Sequence, residues 1–386
     1  MKSVLAPHRV LDQHHLFDSQ DLFDSVLDEF VLSDLPEAVG YRLHAVAPGP
    51  EPQSGGMTAA APTAPAGGAV VTIDQGGMVF NLIYDAAAMK APAAIRAGIE
   101  QAAAMLSGAI TDRITVNFQV DVSGTGRGAD GGPDSVWGLS YSKVHDLLSG
   151  SAAAGDRTFA SLPSGSSIDG RSLITVTGAQ VKLFTLYDPE LKVTDDPTKP
   201  ANVHLNPNDP TTDDAGIHLD ADVPNPVAVA LHELTHGLGR MQLAPSEDLP
   251  PIFDFYRYTA PGVRLYSTQS STSPAAYFSL DGGKTKLADY GQTSDPADFL
   301  NTGVQGPRDP FNEFGNEKSF QFLTMVDLAQ IHAIGFHTII PGLAVAHAVG
   351  HGADLASAHP VGGLGLDAQL QSLAHPAVLH DGFHLV

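Results

Sequence analysis

Residues 225–240 read NPVAVALHELTHGLGR. Asn225 and Pro226 open a helix well: Asn is a favoured N-cap, and Pro suits the first turn, where its missing N–H has no partner to lose. Val227, Leu231, Leu234 and Leu238 then recur at helical spacing and form one apolar stripe. Gly237 and Gly239 let the helix end. On such a helix His232 and His236 stand one turn apart on one face, able to grip a single tetrahedral cation. Glu233 is rotated about 100° from His232, off the metal vertex but within reach of a water beside it. His232 and His236 are therefore candidate metal ligands and Glu233 the candidate general base, taking a proton from the water that attacks a peptide carbonyl. The plainer reading is a histidine-rich surface helix, but chance places this pattern in only about one chain in fifty of such composition.

The bulk composition narrows the field further. The chain has 386 residues, 43% of them hydrophobic, enough for one large domain or two modest ones. Acidic residues number 43 against 20 basic ones, a formal charge of −23, and no basic patch stands out. Phosphate recognition needs clustered Lys and Arg, so no nucleic-acid partner is expected. There is no cysteine. That excludes disulfides and thiolate ligands, and leaves His, Asp and Glu to hold any metal. No stretch approaches the roughly 18 apolar residues of a membrane span. The start, MKSVLAPHRVLDQHHLFDSQ, has no apolar run long enough for a cleaved secretory signal.

Along the chain, residues 1–46 read as an acidic segment, 47–69 as a Pro/Gly/Ala-rich linker, 70–340 as the expected catalytic domain, since it holds the histidine helix, and 341–386 as an Ala/Gly/His-rich tail. Within the domain, VVTIDQGGMVFNLIYD reads as two strands and 86–107 as an Ala-rich helix. RITVNFQVDV (113–122) reads as a strand, and SGTGRGADGGPDS (123–135) as a loop, because it lacks a nucleotide-site context. A strand pair is expected in SLITVTGAQVKLFTL, and a final helix over 323–334.

HELTHGLGR, taken with VFNLIYD (79–85), FYRYTAPGVRLY (255–266), YFSLDGGKTKLADY (277–290), DPFNEF (309–314) and VDLAQIHAIGF (326–336), resembles the bacterial secreted leishmanolysin-like zincins of the metzincin clan, over roughly residues 70–338. The resemblance implies an α+β, zincin-like metallopeptidase fold: a twisted mixed sheet, a backing helix, an active-site helix and a loop-rich C-terminal subdomain. It also implies bound Zn2+ and a polypeptide substrate, pairing with an edge strand from 175–187 or 202–206. In the short metzincin pattern the third ligand would fall at 242, which is Gln242. In the longer-insert branch it lies about sixty residues after the glycine, at Asp298, and Arg308 stands where the Met-turn methionine would be. Aspartate is a competent zinc ligand, with Asp254 the other carboxylate to weigh. Tyr258 could steady an oxyanion, core packing being the commoner use of such a residue.

Some signals stand apart from the metal motif. Asp220 and Asp222 could serve Ca2+, or ordinary turns. Gly362, Gly363, Gly365 and Asp367 form one degenerate calcium turn, and one copy cannot stack into a β-roll. The terminal DGFHLV resembles the ends of type I secretion substrates, so a secreted protein is expected. The competing expectation is a non-catalytic secreted binding or surface-layer protein on a zincin scaffold.

Overall fold

The computed structural model describes residues 62–122, 128–196, 199–243, 249–266, 275–315 and 319–339. The acidic N-terminal segment, most of the linker, the 362–367 turn and the histidine-rich tail lie outside the described residues.

A hairpin opens the fold: β1 (Ala69–Ile73) pairs antiparallel with β2 (Val79–Tyr84). Pro92 starts the next helix, α1 (Ala93–Ala109), later than the Ala-rich composition suggests; 88–90 form only a single 3-10 turn. Ile95, Ile99, Ala102, Ala103 and Leu106 make its buried stripe. α1 carries the chain back so that β3 (Thr115–Asp121) lies parallel to β2, as a crossover requires. β7 (Ala215–Leu219) adds parallel to β3. β4 (Ala129–Pro133) closes the sheet antiparallel to β7, giving the order β1-β2-β3-β7-β4. The molecule is thus a mixed α+β fold built on a mixed sheet.

Two expectations are corrected here. The stretch 123–135 reads as a loop in the sequence, yet its residues 129–133 form the edge strand β4, although Gly, Asp and Pro disfavour strands. The expected edge strand at 175–187 is instead β6 (Leu173–Thr177), paired with β5 (Val136–Ser140) in a separate two-stranded sheet, followed by α3 (Gly178–Thr185). Thr177 and Gln180 form a reciprocal capping box that commits 178–185 to helix. Between β5 and β6 lies α2 (Tyr141–Ser151). The 202–206 alternative makes only an isolated bridge, Val193 with Val203.

The helix read first in the sequence is α4 (Pro226–Leu238). It lies beside α1 and against β4 and β7. Gly237 is what lets it settle there: a Cβ at that position would come within 2.4 Å of the Phe118 ring and 2.8 Å of Ala215. Gly239 ends the helix with φ 113°, a left-handed C-cap. Asn225 does not cap by its side chain. It adopts φ 54°, and its Nδ2 donates to the Ser319 carbonyl at 3.0 Å.

Beyond α4 the chain is loop-rich, with a small sheet of order β11-β10-β8-β9, made by β8 (Arg257–Ala260), β9 (Val263–Arg264), β10 (Tyr277–Phe278) and β11 (Ala288–Asp289). α5 (Met325–Ala333) follows, shorter than the expected 323–334 and capped by Thr324 with Asp327. No helix among the described residues is long and apolar enough to cross a membrane.

The last described segment is clasped by His337. Its Nδ1 lies 2.9 Å from Asp112 Oδ1, and its Nε2 lies 2.9 Å from the Ser151 carbonyl. Both partners are acceptors, so the ring that satisfies both is doubly protonated. The Asp112 carboxylate pushes the His337 pKa up, against the pull of burial. A raised folded value means this contribution is complete below the unfolded-chain value near 6.5 and is lost as pH rises through the folded one. Thermal melting should therefore fall as pH is raised above 6.5, and His337→Gln should flatten that slope. A slope unaffected by the substitution would refute the assignment.

Candidate metal centre

Each ring of the α4 histidines is oriented by a backbone carbonyl. His232 Nδ1 donates to Pro310 O at 2.9 Å, and His236 Nδ1 donates to Arg240 O at 2.7 Å. Spending the proton on Nδ1 leaves the Nε2 lone pair of the neutral tautomer able to ligate a metal. The rings stand 4.7 Å apart, centroid to centroid. Both Nε2 atoms face one oxygen: Asp298 Oδ1 lies 3.0 Å from His232 Nε2 and 3.1 Å from His236 Nε2.

Asp298 lies 58 residues beyond Arg240, and backbone pairing fixes it. Phe299 N donates to Phe311 O and Glu313 N to Phe299 O, each at 2.8 Å. This short ladder sets Asp298 beside Pro310, whose carbonyl orients His232. The Asp298 carboxylate is 5% exposed. Burial would raise its pKa, but His232 and His236 hold it well below the usual carboxylate range. Burial pulls the His232 pKa down, and Asp298 outweighs it and pushes it up. Glu233, 8% exposed, has its pKa raised by burial, with His232 and His236 opposing.

These donors suit a divalent cation. Glu233, His232 and His236 offer ligand atoms all within 4.8 Å of one another, and so do His236, Asp295 and Asp298. A nitrogen and an oxygen on a tetrahedral zinc would be separated by about 3.3 Å, close to the 3.0 and 3.1 Å from each Nε2 to Asp298 Oδ1. Two neutral imidazole lone pairs aimed at a carboxylate oxygen are mutually repulsive, so this arrangement calls for a cation or a proton.

Asp254 lies elsewhere. It is buried with Gln242 Nε2 at 2.9 Å and Arg257 Nη1 at 3.3 Å, and burial pushes its pKa up to about 7. The Gln242 side chain therefore serves Asp254. Tyr258 is buried in β8, its ring 6.4 Å from that of Tyr277 and 5.2 Å from the Arg264 guanidinium. Its described ring contacts do not include the α4 histidines, which favours core packing over an oxyanion-donor role. Arg308 is exposed, and the aromatic floor beside His232 is Phe311, whose ring stands 6.4 Å away edge-on. Asp220 Oδ2 accepts from Gly128 N at 2.9 Å. Neither Asp220 nor Asp222 belongs to a metal-capable group among the described residues.

Two residues went unassigned in the sequence. Asp295 stands three positions before Asp298 in the same DPAD turn, its Oδ1 accepting from Ala297 N at 2.7 Å; a second acid at that spacing was the available signal. Arg240, the last residue of the opening stretch, is wholly buried with its guanidinium over the Phe311 ring at 4.2 Å. Nothing in periodicity marks a single residue just beyond a helix end. Compared with family models, curated proteins and solved structures, the chain matches none.

Proposed function

We propose that the chain is a zinc-dependent endopeptidase with a zincin-like site, in which His232, His236 and Asp298 hold the metal and Glu233 is the general base. The observation that carries this reading is the convergence of both Nε2 atoms on Asp298 Oδ1, each ring oriented from behind by a carbonyl, with Glu233 in the same cluster. When bound, zinc would supply Lewis acidity, acidifying water and polarising a carbonyl. Glu233 takes the water's proton and passes it to the leaving amine. Burial favours its neutral form, which eases that second transfer.

The substrate chain is placed by β4. This edge strand runs against Glu233 so closely that a Cβ on Gly131 would lie 2.6 Å from the Glu233 carbonyl oxygen. An extended peptide adding to the outer side of β4, which pairs only with β7 among the described residues, is held by backbone pairing, independent of most of its side chains. That role falls to β4 rather than to the segments the sequence suggested.

The purified protein should hold about one zinc per chain and cleave an unstructured protein such as casein, with activity lost to a chelator and restored by zinc. A stoichiometry near zero, or cleavage indifferent to chelator, overturns the reading. One observation favours the alternative of a non-catalytic binding protein: a cationic side chain, Arg240, already lies 2.9 Å from His236 Nε2. Under that alternative, zinc binds or not, and no cleavage occurs.

A further inference from the structure

Arg240 reaches both histidines of the cluster and Asp298. Its Nε donates to Thr235 Oγ1 at 2.9 Å, and its Nη1 to the Ala297 carbonyl at 3.1 Å, with Asp298 Oδ1 at 3.5 Å. Its Nη2 reaches the His232 carbonyl at 3.3 Å and His236 Nε2 at 2.9 Å. The backbone of the same residue accepts the His236 Nδ1 proton at 2.7 Å. One residue therefore directs the His236 lone pair toward the site and also covers it.

An imidazole nitrogen has a single lone pair in the ring plane. It can accept the Arg240 N–H or bind a metal, but not both. We infer that Arg240 is the resident cation of the metal-free site, neutralising Asp298 and capping His236 until a divalent cation takes that lone pair. The inference rests on the metal reading above and adds to it a residue that exchanges partners on loading. A purely metal-organised cluster would leave Asp298 buried without a permanent counter-charge whenever the metal is absent, a costly state for an ionised carboxylate. The guanidinium removes that cost. Its contacts with Thr235, Ala297 and His232 need not change when Nη2 releases His236, so the side chain stays anchored while one bond is exchanged.

The test compares wild type and Arg240→Met by thermal unfolding, in chelator and in saturating zinc. In chelator the variant should melt roughly 10 °C lower, because Asp298 loses its one permanent counter-charge and keeps only the titratable imidazoles of His232 and His236. In zinc the gap should shrink by at least half, since the metal now supplies that charge. A variant that folds only with zinc gives the same result in stronger form. An equal gap in both conditions reduces Arg240 to a structural rivet and overturns the inference. Nuclear magnetic resonance on the wild type covers the case in which the variant folds in neither: zinc should shift the Arg240 side-chain N–H signals and the His236 Nε2 signal together. Unmoved Arg240 signals in a zinc-loaded protein overturn the inference alone. If equilibrium dialysis finds no zinc bound to wild type, the metal reading falls, and this inference with it.

Discussion

Glu233→Gln should lower peptide-bond cleavage by about 10²- to 10⁴-fold while leaving zinc stoichiometry at its wild-type value. Gln has the shape of Glu but cannot accept the proton of an attacking water, so the substitution removes the base and little else. The site predicts a second, independent signature. Glu233 is buried and its pKa is raised by that burial, so the folded protein bears a cost for keeping it charged. A neutral amide has no such charge to bury, and the melting temperature of the variant should equal or exceed that of wild type. Loss of activity together with zinc would mean that Glu233 organises the metal rather than the water. Undiminished activity would remove it from the chemistry altogether. The combination of lost turnover, retained metal and undiminished stability separates a base from both a ligand and a core residue.

How far the site could be read in advance depended on the kind of physics that fixes each part. α4 was legible because its helix is written locally, in the apolar repeat of Val227, Leu231, Leu234 and Leu238 and in Gly239, which ends it; Gly237 serves packing instead. The spacing of His232 and His236 then follows from helical geometry alone. β4 was not legible. Its residues have poor intrinsic strand preference, and they pair because β7 offers an edge and Gly131 alone tolerates the approach of Glu233. The sequence 173–186 shows the reverse error. Its apolar run fits two strands, and the capping box at Thr177 and Gln180 turns the second half into helix.

Asp298 occupies an intermediate position. Counting along a resemblance pointed to it, but its arrival depends on the ladder joining Phe299 to Phe311 and Glu313, which no local pattern announces. Arg240 and Asp295 are hidden in the sequence because each matters only through what it touches once the chain is folded. The sequence marks such residues weakly, since a buried arginine and a surface arginine look alike until their partners are placed. Conversely Tyr258 looked useful by its nearness to the helix in sequence, and folding put its ring among Tyr277 and Arg264.

Asp298→Asn should be the most damaging single substitution for metal binding. The amide keeps one oxygen in place but loses the charge, and zinc affinity should fall at least 100-fold, the upper range for removing a mere supporting partner of a ligand. Stability in chelator should fall too. His232 and Arg240 are drawn to Asp298 at 3.0 and 3.5 Å within a buried site, and removing one side of such a network costs about 3–5 kcal/mol. Asp254→Asn is the matched control. That carboxyl is also wholly buried beside an arginine, but burial pushes its pKa up to about 7, so its charged form is held less firmly than that of Asp298. Its amide replacement should therefore cost less, and zinc affinity should not change, because Asp254 faces Gln242 and Arg257 and not the histidines. If the two variants lost zinc equally, the metal would not be held at Asp298, and the convergence of His232 and His236 on that carboxylate would be an ion-pair network with no metal to serve. If only Asp298→Asn loses it, the third ligand is an aspartate delivered by the loop-rich chain after α4, and the cation site is assembled from two distant pieces of chain that only the folded state brings together.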